Sequence, residues 1–212
     1  MKNQDFIMLI MSCQKYSHKV EKQKNTWLPG LNSKIKYFHV IGDPLLKTPF
    51  LIDEINSVLI IKTEDDYNHL PKKVIKAYNI INSLYNYKYI FKTDDDQNLE
   101  INTFFDILLD TLEIWNDINY GGFLVNNKVD HISSYYKIHP ELPKDILVKK
   151  CTYCSGRFYF LSKKAVEHLL LYKDKIENEY FEDYAIGYYL PIHLKYNLYQ
   201  LNTYVYFKDI SV

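Results

Sequence analysis

The stretch "KYIFKTDDDQNLEI", Lys88 to Ile101, places three consecutive aspartates directly behind a short apolar run. At about 4 Å each pair of carboxylates repels by roughly 1 kcal/mol in water, and by about 4 kcal/mol at an effective dielectric near 20. Such a triplet asks for a compensating charge. If the backbone stays extended, successive side chains point to opposite faces, so Asp94 and Asp96 share one side while Asp95 faces away. Two carboxylates on one side suit a hard divalent cation, which takes oxygen ligands and bridges to substrate phosphates. A solvated acidic turn is the plain alternative, and the triplet alone does not decide between the two.

Working outward, "DFIMLIMSC" (Asp5 to Cys13) is a continuous apolar run of strand length, followed by a polar stretch up to Asn25 that reads as a helix. "KIKYFHVIG" and "SVLIIKT" read as two more strands. "LPKKVIKAYNIINSLYN" sets Leu70, Val74, Tyr78, Ile81 and Leu84 on one helical stripe, with Pro71 tolerated in the first turn. Behind the aspartates, "NTFFDILLDTLEIW" puts Phe104, Leu108, Leu112 and Trp115 on one face, with Thr103 and Asp106 spaced as a capping box. "YGGFLVN" predicts a strand, Asn127 to Lys150 a polar, Pro-broken excursion, and "CTYCSGRFYFLS" an extended segment whose Ser162 caps the helix "KKAVEHLLLY". "FEDYAIGYYL" begins a last helix behind two acids. Strands alternating with helices predict an α/β fold: a single domain with a mostly parallel central sheet flanked by helices. Ligands of such sheets sit beyond the carboxyl ends of the strands, and the aspartates stand at one of those ends.

At 212 residues and 47% hydrophobic content the chain can bury one sizeable core. Lys+Arg and Asp+Glu both total 26, so no global field draws it to nucleic acid or an anionic membrane. Its 21 tyrosines sit in a chain rich in Lys, Asn and Ile, which reads as compositional bias rather than a stacking surface. No segment has signal-peptide order and no apolar run reaches the ~18 residues of a membrane helix, so a soluble protein of a cytoplasmic or cytoplasm-like compartment, without membrane insertion, is expected. Cys13, Cys151 and Cys154 are too few for a disulfide framework, and Cys151-Thr-Tyr-Cys154 lacks the second pair of a zinc ribbon. Neither GxGxxG nor GxxxxGK[ST] occurs, so a bound diphosphate would be held mainly through metal.

Five segments then resemble, in order, the β1,3-glycosyltransferases of glycosyltransferase family 31. "KQKNTW" is similar to its R-x-T-W element, with Lys24 in the arginine place, and "DDYNHLPKK" to D-x-Y-x-N-L-x-x-K, ending on Lys73. "YIFKTDDD" matches K-T-D-D-D, "YCSGRFYFLS" resembles Y-C-S-G-G-G-Y-V-L-S, and "FEDYAIG" resembles E-D-V-x-x-G. The resemblance implies a GT-A, Rossmann-like domain over 1–212, with a nucleotide-binding half of about 1–100 and an acceptor and catalytic half of about 101–212. It implies inverting, β1,3-type hexosyl transfer from a UDP-sugar to a hydroxyl of a glycan or glycosylated protein, with Mn²⁺, or Mg²⁺ in its place.

By the same resemblance Asp96 ligates the metal, with Asp94 and Asp95 toward the ribose and behind the metal. The alternation argument adds Asp94 as a ligand. Asp183 is implied as the general base on the face opposite the leaving diphosphate; without the motif, Glu182 and Asp183 read as acids favoured at a helix N-terminus. Lys24, Asp66, Lys73, Gly156 and Glu182 are expected around the sugar nucleotide. Arg157 stands where the family has glycine, and is expected to pair with a charged group on donor or acceptor. The family's late metal-binding histidine has no clear counterpart, so Asp209 or water is expected in its place. A catalytically silent sugar-nucleotide or glycan-binding module is the alternative reading, and a two-metal phosphoryl transferase a more distant one.

Overall fold

Phe6–Met11 is buried along its whole length, because it is covered on both faces. Ile7, Leu9 and Met11 enter one core, and Phe6, Met8 and Ile10 the other. The structure, a computed structural model, describes residues 1–210. Apart from four two-residue strands that pair outside the main sheet, its strands are β1 (Phe6–Met11), β2 (Ile35–Gly42), β3 (Phe50–Asp53), β4 (Val58–Ile61), β5 (Tyr89–Asp94), β6 (Gln97–Leu99), β7 (Tyr120–Asn127), β8 (Cys151–Ser162), β9 (Tyr199–Gln200) and β10 (Phe207–Asp209). The helices that cover them are α1 (Ser17–Asn25), α2 (Leu70–Leu84), α3 (Phe104–Ile114), α4 (Lys163–Leu170) and α5 (Glu182–Tyr189).

Eight strands form one sheet in the order β9-β7-β8-β5-β1-β2-β4-β3. The β4-β2-β1-β5 block is parallel. The sheet as a whole is mixed, so the expectation of a mostly parallel sheet holds in part: β9 also pairs parallel to β7, but β8 runs antiparallel to both β5 and β7, and β3 antiparallel to β4. The cause is in the connections: the 128–150 excursion supplies no crossover helix between β7 and β8, so the chain returns beside the strand it left. From β1 the chain moves outward through β2 and β4, then comes back with β5 on the other side of β1. The strand order therefore reverses between β1 and β5, which is where a doubly wound sheet opens its ligand crevice.

One core packs α2, α4 and α5 against the sheet through Val74, Tyr78, Ile81, Ala165, Val166, Ala185 and Ile186. The other packs α3 and Trp27 through Phe104, Phe105, Leu108 and Leu112. Ser162 caps α4 by accepting from the Ala165 N–H at 3.2 Å. The expected Thr103/Asp106 capping box does not form: Thr103 makes no side-chain cap bond, and Asp106 instead accepts from Asn32 Nδ2 at 2.6 Å. Trp115 also lies past the end of α3 and is exposed, not on its apolar face. Among the described residues no helix is long and apolar enough to cross a membrane.

Gly187 lets α5 lie directly on β8. A Cβ there would come within 2.2 Å of Tyr153 Cβ and 2.7 Å of Tyr153 Cα. Gly187→Ala is predicted to destabilise the fold by about 1–3 kcal/mol or more through overpacking, read as a lowered midpoint in denaturant melts.

Candidate active site

β5 carries a lysine inside its apolar run, and that side chain organises the site. Lys92 is 1% exposed. Its ammonium pairs with Asp94 Oδ1 at 2.8 Å and Glu182 Oε2 at 3.2 Å, and donates to the Gly156 carbonyl at 2.9 Å. Burial by itself would lower the lysine's pKa, but the Asp94 and Glu182 carboxylates outweigh it and raise it, so the ammonium stays charged. Glu182 also accepts a short hydrogen bond from the Tyr159 hydroxyl, which is 2.7 Å from the hydroxyl of Tyr78. A buried chain thus runs from α2 through β8 and α5 to the first aspartate.

The triplet does not stay extended, because Asp95 and Asp96 form the turn into β6. Asp94 and Asp96 are half-buried, whereas Asp95 turns inward and accepts from the Ser12 hydroxyl at 2.8 Å. Asp94 is pushed up to about 7 by burial first, against the pull of Lys92, with the nearby Asp96 raising it further. Burial raises Asp95 too, against the Ser12 hydrogen bond. Asp94, Glu182 and Asp183 together face one ammonium, so the corner carries unbalanced negative charge.

Asp183 sits across from the triplet on the first turn of α5. Its Oδ2 accepts from the Gly156 N–H at 2.9 Å and its Oδ1 from the Tyr184 N–H at 2.7 Å, so the helix start holds the carboxylate in place. Burial raises its pKa, opposed first by the Gly156 hydrogen bond. Asp183 lines a cleft of ≈ 410 Å³ whose walls are Tyr67, Tyr135, Tyr153 and Phe181, with Asn126 and Ser133 as neutral polar groups. A second cavity of ≈ 500 Å³, between α2 and the β3–β4 edge, contains none of these acids.

Residues 21–199 match the model of the galactosyltransferase family. The chain belongs to that family. Among solved structures the glycosyltransferase GlyE of Streptococcus pneumoniae TIGR4 is similar, with 11% identity, a TM-score of 0.48, and coverage of 96% of this chain and 46% of that one. The chain therefore spans about half the length of that structure. No curated protein matches it.

Within this member of the galactosyltransferase family the expected site residues divide into those the fold gathers and those it places elsewhere. Asp94, Gly156 and Glu182 contact Lys92, Asp183 lies close enough to act on its charge, and Asp95 and Asp96 follow Asp94 in the turn, bonded to Ser12 and Gln97. A Cβ on Gly156 would meet Lys92 Nζ at 3.4 Å and the carboxylates of Asp183 and Glu182 at 3.6 Å, which is ordinary van der Waals contact, so packing alone does not demand a glycine at this junction. Lys73 is buried at the carboxyl end of β1, donating to the Ser12 carbonyl at 2.6 Å and pairing with Asp65 at 2.8 Å. Asp65, not Asp66, is its partner, and it also accepts from the Gly42 N–H at 2.9 Å. Asp66 is exposed and caps the following turn, with His69 Nδ1 at 2.7 Å.

Lys24 pairs with Glu21 on the outer side of α1, because the inward position at that level belongs to Gln23. Gln23 Nε2 donates to the carbonyls of Asp94 at 3.1 Å and Gln97 at 2.8 Å, and Trp27 Nε1 donates to the latter at 3.2 Å. The segment resembling R-x-T-W therefore clamps the acidic turn by its backbone, with buried His39 at 3.1 Å from Gln23 Oε1. Arg157 departs most from expectation. It pairs with Asp209 at 2.9 Å and donates to Gln97 Oε1 at 2.6 Å, so its charge is met within the protein. Asp209 is correspondingly held low by the Gln97 hydrogen bond and by Arg157, both of which take its Oδ1.

Among the described residues no group of three or more His, Cys, Asp or Glu side chains forms a ready-made metal cage. The donors present fit a hard divalent cation of another kind, held by one or two carboxylates and completed by substrate phosphates. Asp96 and Asp94 would be those carboxylates. Sequence reasoning missed Lys92, Gln23, Gln97 and Ser12, although a lysine inside the buried run "YIFKT" was a visible sign of a paired charge.

Replacing Lys92 with Met is predicted to cost about 3–5 kcal/mol at pH 8, because it leaves Glu182 and Asp94 buried against each other. The raised carboxyls take up protons as the pH falls, so the loss should shrink at pH 5. Urea melts of both proteins at the two pH values check this.

Proposed function

We propose that this galactosyltransferase-family domain is an inverting, metal-dependent hexosyltransferase that moves a hexose from a UDP-sugar to a hydroxyl of a neutral glycan or a glycosylated protein. The observation that carries the reading is the opposition of two acidic sites across one junction. The Asp94–Asp96 turn stands at the switch point of the sheet, and Asp183 stands across Gly156 from it in an aromatic cleft.

In this scheme the switch-point crevice takes the nucleotide, and Asp96 and Asp94 would hold Mn²⁺ or Mg²⁺. When bound, the cation would neutralise charge building on the leaving diphosphate. The aromatic walls of the cleft suit the apolar face of a sugar ring, and Asn126 and Ser133 suit its hydroxyls. Asp183 accepts the proton of the attacking hydroxyl on the face opposite the leaving group, with its two backbone donors fixing its direction. A β1,3 linkage rests on the family resemblance alone.

Incubation with UDP-, GDP- and dTDP-sugars plus Mn²⁺, followed by nucleotide release, tests the reading. Turnover of one UDP-sugar is expected. Asp183→Asn should abolish it while UDP and Mn²⁺ still bind, whereas Asp96→Asn should weaken that binding itself. Tight binding without release for every donor would favour the silent binding module.

A pH dependence follows with a definite sign. Asp94 titrates near 3.8 when unfolded and about 7 when folded, so in the metal-free protein it withdraws stability as the pH rises through that window. Above it the carboxylate is ionised and ready for a cation. Mn²⁺ with UDP is therefore expected to raise the melting temperature more at pH 8 than at pH 5.5, which thermal-shift assays check.

A further inference from the structure

The register that sets Phe158 opposite Thr93 delivers Arg157 beside the acidic turn. Its side chain is 14% exposed. Nη1 donates to Gln97 Oε1 at 2.6 Å and to the Phe207 carbonyl at 3.3 Å, Nη2 pairs with Asp209 Oδ1 at 2.9 Å, and the guanidinium lies 4.5 Å from the Tyr204 ring centroid. One planar group thus joins β8, β6 and β10.

The contact with Gln97 has a directional consequence. A guanidinium only donates, so the Gln97 carbonyl must face it and the Gln97 amide must face the acids. There Nε2 donates to Asp96 Oδ1 at 2.8 Å and to Asp209 Oδ1 at 2.9 Å. Flipping the carboxamide would set N–H against N–H at Arg157 and carbonyl against two carboxylates.

The geometry points to Arg157 as a positioning residue of the donor site: acting through Gln97, it fixes the carboxylate of Asp96 so that Oδ1 is occupied and Oδ2 is left for a divalent cation. This rests on the metal-dependent reading above. It also assigns a use to the one motif position where the chain replaces glycine with a charge. Lysine is not an equivalent there, because a point charge on a flexible stem does not hold Gln97, Phe207 and Asp209 in one plane.

The test measures Mn²⁺ binding in the presence of UDP, by loss of the free-ion paramagnetic resonance signal, alongside melting temperatures. The proteins are the unaltered chain, Arg157→Lys, Arg157→Ala, Gln97→Leu and the Arg157→Ala/Gln97→Leu double variant. Both Arg157 variants are expected to bind Mn²⁺ roughly tenfold to a hundredfold more weakly, the range typical when a partner of a ligand is lost. The double variant should bind no more weakly than Gln97→Leu alone, since both changes act on Asp96 along one line. A mere tether for β10 would lower the melting temperature and leave the affinity of the folded protein untouched.

Unchanged affinity in Arg157→Lys, or losses that add in the double variant, would overturn the positioning role. Should Arg157→Ala fail to fold, Arg157→Lys and Gln97→Leu carry the same comparison. Absence of Mn²⁺ binding by the unaltered chain would instead overturn the metal-dependent reading on which the role rests.

Discussion

A single buried ammonium fixes the relation between the two acidic sites. Lys92 reaches Asp94 from its own strand, Glu182 from α5 and the Gly156 carbonyl from β8. An isolated ammonium in that position would be costly to bury, and so would either carboxylate. Each is tolerated only because the others are there. The three elements therefore have one arrangement in which all charges are met, and in that arrangement Asp183 falls across Gly156 from the triplet. Neighbouring contacts reinforce it: Gly187 allows α5 to lie on β8, and Tyr159 and Tyr78 extend the hydrogen bonding into α2.

The same electrostatics leaves a deficit. One ammonium and two tyrosine hydroxyls do not balance Asp94, Asp96, Glu182 and Asp183. In the folded chain the imbalance shows as raised carboxyl pKa values at Asp94, Glu182 and Asp183, each caused first by burial. A site that resists its own ionisation is one that gains from an added cation, which is why the proposed reading sets a divalent ion at the mouth of the crevice between β1 and β5. The turn is held both through its backbone, by Gln23 and Trp27, and through its side chains, by Gln97 and Arg157.

Much of this was legible in the sequence. The strand ahead of the aspartates, the Ser162 cap and the stripe of α2 all follow from local periodicity and side-chain chemistry, whereas Asp183 was singled out by the family resemblance alone. The remainder depends on pairings that no local pattern encodes. β6, β9 and β10 have two or three residues each and exist only because a partner strand lies beside them. Arg157 was read as facing the ligand because its partner Asp209 is supplied by β10, which only the tertiary structure brings to the acidic turn. Lys24 and Asp66 stand one position away from the residues that point inward, Gln23 and Asp65, since a helix turns successive side chains by about 100° and extended backbone such as that at Asp66 sends neighbours to opposite sides.

The central claim is that the crevice between β1 and β5 holds a divalent ion between the Asp94–Asp96 carboxylates and a diphosphate. Anomalous diffraction at the manganese edge, from crystals grown with Mn²⁺ and UDP, addresses it directly. The account predicts one strong peak within bonding distance of Asp96, on the side shared with Asp94, touching both phosphates and leaving Asp209 on Arg157. UDP bound elsewhere, or bound in that crevice with no manganese peak beside Asp96, would contradict it.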